Sequence, residues 1–151
     1  MKSMPNHHYR QLTLMMVLSF ASMYILMYAM VDTFPNVLPN ANQFYMAGLM
    51  TAPMLIIEIG LMESMYRKKR LNTILLITGI LALAGFMFMI RTQALVGDRQ
   101  FLKSMIPHHA GAILMCQRAS IEDPEIKELC RTIIINQQTE IDQMKKILQS
   151  K

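Results

Sequence analysis

The chain has 151 residues, 53% of them hydrophobic, and its 15 Lys and Arg outnumber 10 Asp and Glu to give a net charge of +5. By length this is one small domain, but the apolar residues are gathered into long runs that exclude an ordinary soluble fold. The positive excess does not point to nucleic acid: Arg67-Lys68-Lys69-Arg70 holds four of the charges, and residues 91–151 carry nine basic against seven acidic side chains with no basic–aromatic interleaving.

The first apolar run, Leu12–Val31, contains no charge. The second, Phe44–Tyr66, is interrupted only by Glu58 and Glu63, and the third, Leu71–Ile90, is again uncharged. A helix crosses the hydrocarbon core of a bilayer with roughly 20 residues, so each run predicts a transmembrane helix. The first is too long for the apolar part of a signal peptide, and Asp32-Thr33-Phe34-Pro35 does not resemble a cleavage site, so it reads as a retained anchor. Basic residues set the orientation. Lys2 and Arg10 precede the first span, Asp32–Gln43 has no Lys or Arg, and the next loop is the basic run 67–70. The positive-inside rule then places the N-terminus and the basic loop in the cytoplasm and everything after the third span on the far side. Residues 1–93 form the expected membrane domain and 94–97 a linker.

Twelve of the 17 methionines lie in these runs. Met46, Met50, Met54, Glu58 and Met62 follow one another at i+4. Helix packing by a flexible filler accounts for such a stripe, and a path for a soft metal ion is the sharper reading. Glu58 favours a function, because a carboxyl within a span is costly unless it is paired, protonated or lining a cavity. Pro53 can open the helix locally. Met54 and Glu58 are therefore candidate intramembrane ligands. His7 and His8 read as part of an exposed polar tail on the cytoplasmic side.

From Asp98 the pattern changes to a period of 3.6. Phe101, Met105, His108, Ala112, Met115 and Ala119 recur three or four apart. Asp98 is a suitable N-cap, and Pro107 predicts a kink just before the two histidines. A second helix starts at Asp123-Pro124-Glu125: an N-cap acid, a proline at the first helical position and an acid in the first turn. Its apolar face runs through Ile126, Leu129, Ile133, Gln137, Ile141, Met144 and Leu148, with Lys145, Lys146 and Lys151 toward its negative end. A connection of about three residues makes the pair an antiparallel hairpin in which facing positions sum to about 246. Cys116 then faces Cys130, His108 faces Gln138 with Gln137 beside it, Met105 faces Ile141, and Leu102 faces Met144.

The hairpin resembles a known family. Its pattern is Asp98-x-x-Phe101-Leu102-x-x-Met105-Ile106-Pro107-His108-His109-x-x-Ala112-Ile113-x-Met115, then Asp123-x-Glu125-Ile126, then Gln137-x-x-Glu140-Ile141-x-x-Met144. These residues are similar to the domain-of-unknown-function family numbered 305 over about Asp98–Leu148. The resemblance implies a ferritin-like helical fold and, for some members, extracytoplasmic copper binding through Met and His in copper tolerance. It marks Met105, His108, His109, Met115 and Met144 as metal-ligand candidates. The chain departs from the family pattern in having one hairpin where many members have two, in its three-span membrane part, and in Cys116 and Cys130 where alanine is usual. A single hairpin implies that a second chain completes the bundle.

Imidazole and thioether suit Cu(I) and disfavour hard cations. Met105, His108 and His109 stand at i, i+3 and i+4 on one helix, while the two rings diverge by about 100°. One ring can bind metal while the other bonds Gln137 or Gln138, or both can serve a packed interface with no metal. A di-iron centre is disfavoured, since neither histidine has a Glu at the Glu-x-x-His spacing. Nucleophilic catalysis by Cys116 with His109 is disfavoured by a separation of about 10 Å along the axis. The cysteines are open to a disulfide, to soft-metal ligation or to packing.

The reading is an all-α protein of three transmembrane helices followed by an antiparallel hairpin at 98–151, half of a ferritin-like four-helix bundle. It is expected to bind copper as Cu(I), or silver, as a homodimer or higher oligomer in a bacterial inner membrane, and not to be an enzyme. The alternatives are a metal-free, membrane-anchored oligomerisation module and an accessory to a metal transporter.

Overall fold

The computed structural model describes residues 5–150, with side chains from His7 onward. Lys2 and Lys151, used above for topology and for the helix dipole, lie outside the described residues. The described residues form five α-helices and no strand: α1 Pro5–Leu26, α2 Ala41–Leu61, α3 Lys69–Thr92, α4 Asp98–Arg118 and α5 Pro124–Ser150. Short 3-10 turns occupy Met27–Met30 and Phe34–Asn36. Three segments are long and apolar enough to cross a membrane: His7–Met30, Ala41–Leu61 and Lys69–Thr92. These candidate spans suggest a helical membrane protein. The second helix ends five residues short of the apolar run, so Tyr66 belongs to the loop after α2.

The chain divides into two compact units. The first comprises α1, α2 and α3. Phe44 on α2 meets Phe20 of α1 and Phe86 of α3, with ring centroids 5.0 and 6.3 Å apart. Glycines admit the close approach. A Cβ at Gly48 would strike the Phe86 ring, and one at Gly79 would come within 2.9 Å of Ile56. Small residues at helix crossings are the usual device where lipid removes the hydrophobic drive to associate. Gly48→Ala should therefore destabilise this unit by about 1–3 kcal/mol through overpacking, read as an earlier thermal melt of the detergent-solubilised chain. Near the N-terminal part of α1, Leu12, Ile59 and Tyr66 form a buried cluster. Around it, Tyr9 Oη donates to Asn72 Oδ1 (2.7 Å) and accepts from the Lys68 amide (3.1 Å), and Asn72 Nδ2 donates to the Tyr66 carbonyl (2.7 Å).

The second unit comprises α4, α5 and the connection Met27–Ala41. The sequence predicts a loop between spans at Asp32–Gln43 and gives Met27–Val31 to the first span, whereas the structure groups Met27–Ala41 as one connection. Here it packs on α4. Val31 and Leu38 lie against the core of Leu102, Ile106, Ala110, Ile113, Ile141 and Met144. Ser104 Oγ donates to Asn40 Oδ1 (3.1 Å), and the Ala41 amide donates to Gln100 Oε1 (3.0 Å). Pro107, Ala110 and Gly111 are buried on α4, and a Cβ at Gly111 would lie 3.4 Å from the Met30 carbonyl. Small side chains on this side of the helix let the connection approach its backbone.

Helix α4 runs without a break through Pro107. Gly97 takes the N-cap position, and Asp98 is the first-turn acid, where its charge meets the positive end of the dipole. At α5 the expected start is realised: Asp123 Oδ1 accepts from the amides of Glu125 (2.8 Å) and Ile126 (3.1 Å). The last turn of α5 carries no basic residue, because the helix continues past Lys145 and Lys146 to Ser150. The antiparallel register brings Cys116 and Cys130 into a disulfide with Cα atoms 5.2 Å apart.

Candidate functional site

Each histidine of the pair takes a different side of α4. His109 is buried at 7% exposure, and His108 is exposed. Their ring centroids lie 6.1 Å apart with planes at 65°. His109 Nδ1 sits 2.9 Å from the Met105 carbonyl, which can only accept, so Nδ1 carries a proton. Nε2 then faces Glu140 Oε2 at 2.6 Å, and one proton lies on that line. Neither nitrogen is left over.

The expected partners of the inward ring were Gln137 or Gln138, and the structure corrects this to Glu140. Gln138 Nε2 instead donates to Asp142 Oδ1 at 2.9 Å. Side chains on a helix lean toward its N-terminus, so Glu140, one turn beyond Gln137, reaches back to the level of His109. A carboxylate is also the stronger acceptor for an imidazole N–H.

The remaining candidates do not gather around one point in a single chain. Met144 is buried in the hairpin core, and Met105 is half-buried against that core. Met115 is 53% exposed, on the same face of α4 as His108 but two turns along, about 10 Å by helix rise. Cys116 and Cys130 are bonded to each other and present no thiolate to a metal. Among the described residues, no group of three or more His, Cys, Asp or Glu is arranged to hold a metal ion. The donors that fit a soft ion are therefore the His108 imidazole, which makes no hydrogen bond among the described residues, with Met105 one turn before it and Met115 on the same face. His109 can ligate only if an ion displaces the proton shared with Glu140. Its Nδ1–H on a backbone carbonyl is the usual outer hydrogen bond of a ligating histidine.

In the membrane unit, Met54 and Glu58 remain neighbours on α2 by spacing, but Glu58 turns to other partners. Its Oε1 accepts from the Tyr66 phenol at 3.0 Å. Burial first, then this hydrogen bond and the charge of Glu58, push Tyr66 up to about 12. The phenol in the loop therefore stays protonated and donates. Glu58 lies within one turn of the end of α2 and lines a cavity whose wall includes His8 and three methionines, but not Met54. His8, read from the sequence as part of an exposed tail, is half-buried there. Sequence reasoning also passed over Tyr66 and Met15. The signal for Met15 was present: His8, Gln11, Leu12 and Met15 recur three, one and three apart, one face of α1.

The sequence profile of a domain of unknown function, DUF305, matches residues 58–148. The match starts at Glu58 and takes in α3 as well as the hairpin. "Uncharacterized protein L153" of Acanthamoeba polyphaga mimivirus is 37% identical over 138 residues, covering 89% of this chain and 89% of that protein. That likeness therefore extends over both units. No solved structure matches the chain.

Proposed function

The chain belongs to the DUF305 family, and from that premise we propose that it is a membrane-anchored binder of a soft monovalent metal, copper(I) or silver, that serves metal tolerance or handling and is not an enzyme. The observation that carries this reading is His108: an exposed imidazole that makes no hydrogen bond among the described residues, one turn from Met105 and on the same face as exposed Met115. Imidazole and thioether together select Cu(I) over hard cations. Copper bound there would be cargo, held by few donors and open to exchange.

One chain supplies too few donors at this point, and a second copy supplies the rest. Phe101, Met115, Ile126 and Leu129 are 49–57% exposed, and helical spacing puts them on the side of the hairpin that carries His108. Covering that side with a second hairpin would form a four-helix bundle, the other half of a ferritin-like fold. The positive-inside rule places residues 67–70 in the cytoplasm and the hairpin on the far side of what we take to be a bacterial inner membrane. The Cys116–Cys130 bridge agrees with an oxidising compartment.

The same exposed apolar side supports a second reading, a metal-free oligomerisation module. The two separate in one experiment on the full chain in detergent: Cu(I) titrated against a competing chelator, with particle mass measured in parallel. Metal uptake by a dimer that falls by the hairpin's share in His108→Ala upholds the metal reading. A dimer that takes up no copper leaves the oligomerisation module in its place, and a monomer that takes up none removes both. Copper flux into vesicles holding the protein would favour the transporter accessory.

A further inference from the structure

A second group of soft donors lies in the first unit and shares no residue with the hairpin. A half-open cavity of about 170 Å³ is bounded by His8 and Met15 of α1, by Glu58 of α2, and by Met62, Met65 and Tyr66 of the loop that follows. His8 is half-buried at its wall, and its Nδ1 is buried with no hydrogen-bond partner among the described residues. A buried ring nitrogen without a partner is uncommon in a folded protein, since its lost hydration is uncompensated. The ring has no compensation from its neighbour, His7, which only meets it edge-on with centroids 6.0 Å apart.

We propose that this cavity is a binding site for a soft monovalent cation of the Cu(I) class, with His8 and the thioethers of Met15, Met62 and Met65 as ligands and Glu58 as the balancing charge. The donor set carries the selection. Three thioethers and an imidazole bind Cu(I) or Ag(I) well and give little to Mg²⁺ or Ca²⁺. One carboxylate beside one monovalent ion leaves no net charge at the edge of the bilayer, which a divalent ion would not achieve. The Tyr66 phenol holds Glu58 Oε1, so the carboxylate is oriented from outside the ligand set. Tyr66 is itself fixed by its burial at 4% and by Asn72 Nδ2 on its carbonyl. Met62 and Met65, 37 and 38% exposed, form the rim, where flexible thioethers can admit and release an ion. The site shares no residue with the hairpin and stands whether or not the hairpin binds metal.

The test uses the full chain in detergent micelles with Cu(I) kept reduced by ascorbate and titrated against a competing chelator. Three cavity variants, His8→Gln, the pair Met62→Leu with Met65→Leu, and Tyr66→Phe, are compared with His108→Ala. The methionine changes conserve volume, so helix content and particle size should match the parent. The expected outcome is that His8→Gln and the methionine pair lose one equivalent of tight Cu(I), that Tyr66→Phe weakens that equivalent about ten-fold or more, and that His108→Ala keeps it. X-ray absorption of the loaded His108→Ala protein should show copper with sulfur neighbours, which the methionine pair removes. Unchanged Cu(I) stoichiometry and affinity in the folded methionine pair overturns the site, as does the absence of any copper uptake by His108→Ala.

Discussion

Replacing His109 by alanine should lower the unfolding free energy of the hairpin unit by about 3 kcal/mol, whereas replacing His108 should change it by less than about 0.5 kcal/mol. The two residues are adjacent and chemically identical, so the contrast isolates environment. His109 is 7% exposed, and its two nitrogens meet the Met105 carbonyl and Glu140. Truncation opens a cavity beside the fully buried Ile106 and Ile141 layer and strands a carboxyl that had a 2.6 Å partner. Glu140 is itself 54% exposed at its side chain, so water rehydrates it and the loss stays below that of a fully buried ion pair. His108 is exposed and has no hydrogen bond among the described residues to lose. Copper binding should run the other way, with His108→Ala abolishing hairpin uptake. Denaturant unfolding and Cu(I) titration of the two variants check both halves, and equal destabilisation by the two would refute the division of roles.

Removing the Cys116–Cys130 bridge is the second large effect. The bridge closes a loop with a sequence separation of 14. Constraint of the unfolded chain over such a loop is worth about 3 kcal/mol. The double variant Cys116→Ser, Cys130→Ser should unfold correspondingly earlier in denaturant. Both sulfurs are half-buried near the turn, away from the His109 layer, so the two losses should add. The parent chain should gain two mass units on reduction and lose the same stability. A parent protein with two alkylatable thiols before reduction would contradict the bridge and reopen ligation by the cysteines.

The two cases differ in how they could be foreseen. The cysteine pairing follows from a short turn: Asp123 caps α5, few residues separate it from α4, and antiparallel register then follows from chain geometry. The same register placed Met105 with Ile141 and Leu102 with Met144, and all four meet in one core. It pointed to Gln137 or Gln138 as the partner of His109 and missed Glu140, because the three stand within one turn and side-chain lean and acceptor strength settle the choice.

Helix type, the three spans and the hairpin are local properties. They depend on runs of apolar residues, on a period of 3.6, and on caps within a few residues of one another, all of which the order of residues carries. The folding of Met27–Ala41 onto the side of α4 that carries Pro107, Ala110 and Gly111, the inward turn of His109 against the outward turn of His108, and the lining of one cavity by His8 and Glu58 are not local. Each joins positions far apart in the chain. Such partners are selected by which backbones can approach and which buried polar atoms must be satisfied, and those conditions exist only once the helices have packed.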